Sequence, residues 1–236
     1  MTVRSLPELV EVAAPAWPEL RVAIDSASTP VEVLAVDPIE ADRTLYALQV
    51  TAGSTLGALA HNCGGLLIDH GWLRILGGGT DQLPSLASAN GLGDPSAAPG
   101  PPPFLIVAFD VLGGRFAIDG GGLGVAPGEV CYWGPDTLEW ESLGIGHTAF
   151  VNAFLQGAAT EFYASWRWPG WEAELGSIGT DQGLSLMPPP FTAQGSNLAE
   201  VSRRPVPFAE LLSFYDELAN QVKNLRPGES FRLATD

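Results

Sequence analysis

The chain has 236 residues, and 27 acidic side chains against 11 Lys and Arg leave a formal charge of −16, with an isoelectric point near 4.3. That field repels phosphate backbones and anionic surfaces, so neither nucleic acid nor a membrane is an expected partner. A hydrophobic fraction of 46% with only 16% charged residues excludes bulk disorder, and residues 1–236 are expected to form one domain.

The first helix is expected after Ser5, because Glu8 three residues on completes the pattern of a capping box and Leu6, Leu9, Val10 and Val12 supply apolar surface. Pro15 and Pro18 interrupt it. Trp17, Leu20 and Ile24 recur at helical spacing up to the break at 28–30, and Val31 to Val36 alternates as a short strand. Asp37-Pro38-Ile39-Glu40 has the form of a helix start that runs to Leu48, and Ser54 starts another that Gly64-Gly65 ends. The period then changes. Leu66 to Asp69 and Trp72 to Leu76 flank His70-Gly71, which predicts a β-hairpin.

Residues 77–103 are rich in Gly, Pro, Ala and Ser, with a short helix near Leu83 to Ala89 and a surface loop over 91–103. Phe104 to Phe109, Arg115 to Ile118 and Val130 to Trp133 are separated by glycine-rich turns and read as an antiparallel meander. After Pro135 the pattern predicts helices, with Phe150, Val151, Phe154 and Leu155 on one face and Phe162, Tyr163 and Trp166 on the next. A strand near Leu184 to Met187 precedes the last helix, in which Phe208, Leu211, Leu212, Tyr215, Leu218, Val222 and Leu225 mark a helical stripe terminated by Arg226-Pro227-Gly228. Helices, then strands, then helices predict an α+β fold, an antiparallel meander of about five to seven strands flanked by helices.

No basic n-region precedes an apolar core in Met1 to Val12, and the longest strongly apolar run, Phe104 to Phe109, is far shorter than the roughly 18 residues of a membrane span. A cytoplasmic protein is expected, with Cys63 and Cys131 as free thiols.

Much catalytic chemistry is absent from the pattern. Lys223 is the sole lysine, which excludes a P-loop, and neither a nucleophile elbow nor a zinc-protease helix occurs. No cofactor, metal ligand set or catalytic residue is expected. Gly77-Gly78-Gly79 and Gly120-Gly121-Gly122-Leu123-Gly124 lack the dinucleotide-binding spacing, although the second cluster offers amides for an anion nest. His61-Asn62-Cys63 pairs an imidazole with a thiol, against a simpler reading as a helix end; His70 reads as a turn residue and His147 as part of a helix start. Trp133 to Glu141 concentrates acids and aromatics. Asp136, Glu139, Trp140 and Glu141 suit a contact surface for a basic protein partner, against the alternative in which Leu138 and Trp140 pack inward and the acids stay in water. Trp166 to Trp171 reads as a packing cluster with a cation–π contact from Arg167. Arg203-Arg204 either pairs with internal carboxylates or receives an anion; Trp72 completes the binding candidates.

Several segments together carry a resemblance. Pro15 to Pro18, Gly64 to Gly77, Gly120 to Gly124, Gly134 to Trp140 and Val201 to Pro207 resemble, in order, a bacterial family of unknown function, DUF2625. The loop at 91–103 looks like an insertion relative to it. More distantly, the order of an N-terminal helix, a glycine-punctuated meander ending in Tyr132-Trp133 and the Phe150 to Leu155 helix is similar to the SUKH superfamily. That likeness implies an α+β binding module that neutralises toxins or scaffolds partners rather than an enzyme. The alternative is a small-ligand binder or enzyme that uses Gly120–Gly124 with Arg203, Arg204 or His61.

Overall fold

Strands form where the turn chemistry lets apolar runs pair. In this computed structural model, which describes residues 3–97 and 100–224, β2 (Gly65–Ile68) and β3 (Leu73–Leu76) make the expected hairpin. His70 and Gly71 have φ of 59° and 80°, and the Trp72 N–H donates back to the Asp69 carbonyl at 3.1 Å. Positive φ at both central residues matches the turn to the twist of the strands it joins.

The sheet grows from this hairpin in both directions. β1 (Val31–Leu34) lies on the outer side of β2, and β4 (Phe104–Asp110), β5 (Arg115–Asp119), β6 (Glu129–Trp133) and β7 (Trp140–Gly146) follow β3. The order is β1 to β7 with every neighbour antiparallel, a seven-stranded meander. β8 (Gln182–Met187) and β9 (Ser202–Pro207) form a separate two-stranded sheet. The α+β class and the antiparallel meander are borne out. β7, where the pattern predicts helix, and β9, which contains Pro205 and Pro207, are strands the residue pattern does not announce.

Helix starts obey their caps. The Ser5 N–H and hydroxyl donate to Glu8 Oε2 at 2.7 and 2.6 Å before α1 (Leu6–Val10). The Asp37 carboxylate accepts from the Ile39 amide at 2.8 Å before α3 (Pro38–Leu48), and Ser54 Oγ from the Gly57 amide at 3.0 Å before α4 (Thr55–Asn62). α2 (Trp17–Asp25) and α5 (Leu86–Ala89) complete the N-terminal set. α6 (His147–Leu155), α7 (Ala158–Phe162), α8 (Trp171–Leu175) and α9 (Phe208–Lys223) follow β7. The Arg226-Pro227-Gly228 terminator of the last helix lies outside the described residues.

Register assigns the two faces. Ala108, Phe116 and Tyr132 are successive cross-strand partners, and Phe116 packs on Phe150 and Phe154 of α6 at ring distances of 4.9 and 5.8 Å. Phe109, Arg115 and Trp133 form the adjoining row, which faces α9: Phe109 meets Phe208 at 5.0 Å and Trp133 meets Tyr215 at 6.0 Å. Arg115 fastens this helix with an ion pair to Asp216 at 2.7 Å and a hydrogen bond to the Leu212 carbonyl at 2.9 Å. Continued across the sheet, the second row contains Arg74, Leu67 and Glu32 on β3, β2 and β1.

Candidate functional site

The two ends of the meander carry charge in opposite ways. At the β7 end, Asp136, Glu139 and Glu141 are exposed, and none takes part in an ion pair among the described residues. Trp140 is half-buried and stacks on Phe104 at 5.6 Å, while Leu138 is buried, so the segment anchors its apolar side chains and leaves its acids in water. Glu129 on β6 adds another carboxylate, which accepts from the Ser142 hydroxyl at 2.5 Å. β7 pairs with β6 only at Trp140, Glu141, Ser142 and Gly146; the intervening register shift, with Gly144 at φ 68°, interrupts the outer edge. Side chains rather than a continuous backbone edge are therefore what this end presents.

Among the described residues, most cations are engaged within the chain. Arg21, Arg43, Arg115, Arg167 and Arg203 have carboxylate partners, Arg4 bonds the Gln49 carbonyl at 2.9 Å, and Arg74 bonds backbone carbonyls. Among the described residues this leaves Arg204 and Lys223, both exposed. Arg203 and Arg204 thus part company. Arg203 stacks on Trp168 at 4.4 Å and bonds Glu174 at 3.2 Å, an internal pairing with a carboxylate other than those at 136–141.

Trp72 is a correction. Its side chain is fully buried, with Tyr163, Trp168 and Trp171 at ring distances of 5.5, 5.7 and 5.1 Å, so it belongs to the interior and not to a contact surface. The expected cation–π contact of Arg167 is present: its guanidinium lies 4.3 Å from the Trp171 ring and pairs with Asp69 beside the hairpin turn. This cluster docks the 166–171 segment onto the hairpin.

The alternative site does not assemble. The amides of Gly121, Gly122 and Leu123 do form a nest, but all donate to Asp119 Oδ1, at 2.8, 2.8 and 2.9 Å. Burial of Asp119 works against its charge, yet the Leu123, Gly121, Gly122 and Val125 amides hold its carboxyl below the usual range. The loop therefore binds an anion that the chain itself supplies. His61 Nε2 lies 3.2 Å from Asp42 Oδ1, and burial pushes the Cys63 thiol up to about 12, which keeps it protonated and inert. No hydrogen bond or ion pair joins the Gly120–Gly124 loop, Arg203, Arg204 and His61 among the described residues. Nor do the described residues hold a cluster of three or more His, Cys, Asp and Glu side chains placed to bind a metal ion.

Two buried charges have no place among the sequence candidates. Asp110, at the end of β4, is 1% exposed; its carboxylate accepts from the Leu112 and Gly114 amides at 2.9 Å each, from Tyr132 at 2.8 Å and from Tyr163 at 3.5 Å. Burial nonetheless pushes its carboxyl up to about 6 against these donors. A Cβ on Gly114 would stand 2.0 Å from Asp110 Oδ2, so glycine is what lets the turn close on the carboxylate. Arg74 is 4% exposed, and burial lowers its guanidinium to about 10. It donates to the carbonyls of Thr180 at 2.8 Å, Gln182 at 2.6 Å and Gly71 at 3.3 Å, and lies over Phe208 at 5.5 Å. The mark Arg74 leaves in the sequence is a lone charge inside Trp72-Leu73-Arg74-Ile75-Leu76; Asp110 is the acid that ends an apolar strand.

The sequence profile of a family described as "Protein of unknown function DUF2625" matches residues 6–211. The chain is 37% identical over 191 residues to an uncharacterized protein, YbfG, of Escherichia coli (strain K12), with 79% of this chain and 85% of that one covered. It is 34% identical over 187 residues to an uncharacterized protein of Haemophilus influenzae (strain ATCC 51907 / DSM 11121 / KW20 / Rd), with 79% and 82% covered. No solved structure matches. These matches give the DUF2625 relationship; they do not include the SUKH superfamily. No helix among the described residues is long and apolar enough to cross a membrane.

Proposed function

This chain belongs to the DUF2625 family, and we propose that it is a non-enzymatic protein-binding module of the cytoplasm whose contact surface is the acidic end of the meander. The observation that carries this reading is the exposed set Asp136, Glu139 and Glu141, without ion pairs beside a half-buried Trp140, in a chain whose described cations are mostly consumed internally. Exposed acids without counterions project their field outward, which speeds encounter with a basic surface and disfavours a nucleic acid. Trp140 supplies contact area with little conformational freedom left to lose, because Phe104 already holds its ring. The immunity-type or scaffold form of this role is proposed on the sequence resemblance to the SUKH superfamily alone.

The experiment is affinity capture from a lysate of the source cell, with wild type and Glu139→Lys/Glu141→Lys run in parallel at low and high salt. A stoichiometric basic protein retained by wild type at low salt, released at high salt and not retained by the variant supports the assignment. A partner retained equally by both proteins places the contact elsewhere.

A further inference from the structure

At the opposite end of the sheet, the face that α9 covers over β4 to β6 is left open and forms a cleft of about 400 Å³. Its floor is the cross-strand row Glu32, Leu67 and Arg74, and Leu175 and Ile178 close it from the side of α8, with His70 at the rim. We propose that this cleft binds a small amphipathic monocarboxylate, with the carboxylate on the Arg74 guanidinium and the apolar body on Leu67, Leu175 and Ile178.

The charge is the first argument. Arg74 is buried and makes no ion pair among the described residues; its hydrogen bonds leave from Nε and Nη1 to neutral carbonyls, and Nη2 has no partner. Asp110 and Asp181 act on it through space without pairing. A buried guanidinium lacking a carboxylate partner gains most from an anion that reaches it out of water, because the local dielectric is low and its remaining N–H groups are unused. The carbonyls that hold Nη1 also fix the direction of the fork, so the donor is set before a ligand arrives.

The class of anion follows from the surroundings. One guanidinium balances one negative charge. Glu32 shares the floor and the whole chain carries −16, so a second charge, as on phosphate at neutral pH, meets repulsion. The middle of the floor and the α8 side are aliphatic, which favours an alkyl body over a sugar or a nucleotide. The volume suits a compact ligand rather than a folded partner.

The probes are hexanoate, 1-hexanol and inorganic phosphate, titrated calorimetrically into the full chain near neutral pH. Saturable binding of hexanoate, with hexanol and phosphate weaker by about tenfold or more, is the expected result. Glu32→Gln removes a like charge from the exposed end of the floor and tightens hexanoate by about twofold or more. Ile178→Trp fills the cleft and abolishes binding. Arg74→Met abolishes it too where circular dichroism shows the variant folded; should it fail to fold, the Glu32 and Ile178 variants decide. Equal binding of hexanol, equal binding of phosphate, hexanoate binding indifferent to both Glu32→Gln and Ile178→Trp, or no hexanoate binding each overturns the proposal.

Discussion

The β1–β3 end and the β7 end of the meander differ in where their charge sits. At the first, a single guanidinium is buried at the floor of a cleft, over Phe208, and bonded to several carbonyls; at the second, carboxylates stand in water without partners. Coulomb energy scales inversely with the local dielectric, so one buried charge weighs on stability where several exposed ones do not. The exposed acids act at a distance instead, through the field they add to a chain of charge −16. The buried charge and the proposed protein-contact surface thus lie at different ends of one sheet.

The sharpest way to break this contrast is Arg74→Met, which strips the donors from the Gly71, Thr180 and Gln182 carbonyls. We expect a loss of about 2–5 kcal/mol in urea unfolding, from buried acceptors left unpaired. A variant as stable as wild type would show that the buried cation contributes nothing.

A second contrast is one of pH. Asp110, cross-strand from Leu73 at the cleft end, is raised by burial from 3.8 to about 6; His147, directly after β7, is lowered by burial from 6.5 to about 4, with neither ring nitrogen hydrogen-bonded. The raised carboxyl favours the folded state fully below about pH 4, and that contribution is lost as pH rises through 6. The lowered imidazole has the opposite slope: its folded state is penalised progressively as pH falls from 6.5 towards 4. Each amounts to about 3 kcal/mol, so in wild type they largely cancel. Asp110→Asn should lose stability on acidification across that window, and His147→Phe should gain it; urea midpoints at pH 4, 5 and 6.5 that run parallel for all three proteins would contradict the assignment.

Smaller effects belong to the β7 end. Asp119→Ala empties the nest of Gly121, Gly122 and Leu123 and should lower the urea midpoint, by less than Arg74→Met does, because its amides lose a charged acceptor. Glu139→Lys/Glu141→Lys should change stability by less than about 0.5 kcal/mol while it removes salt-sensitive capture of a partner. A large destabilisation would mean that these acids hold the strand in place.

How much of this was legible in the sequence follows the same division. The hairpin is readable because His70-Gly71 supplies the positive φ its turn demands, and the helix starts because Asp37 and Ser54 accept from amides two or three residues on while the Glu8 carboxylate reaches back to the Ser5 amide. β7 was hidden: the shift in its pairing and Gly144 break the alternation that marks a strand. β9 was hidden by Pro205 and Pro207, tolerated because it pairs on one side alone. Exposure of Glu139 and Glu141 could be read from local polarity, but the cleft could not. Glu32, Leu67 and Arg74 are far apart in the chain and meet through strand register, and the carbonyls that hold Arg74 come from residues 180 and 182. Trp72 reads as a surface candidate for the same reason, since a tryptophan beside a turn shows its burial only when the 166–171 segment folds over it.

The central claim is that recognition resides at the acidic end. Its most direct test is amide hydrogen exchange of the chain alone and in complex with the captured partner. The account predicts new protection centred on Asp136 to Ser142, with the β2–β3 hairpin unchanged. Protection confined to the hairpin and the segment around Ile178, with Asp136 to Ser142 exchanging as in the free chain, would contradict it.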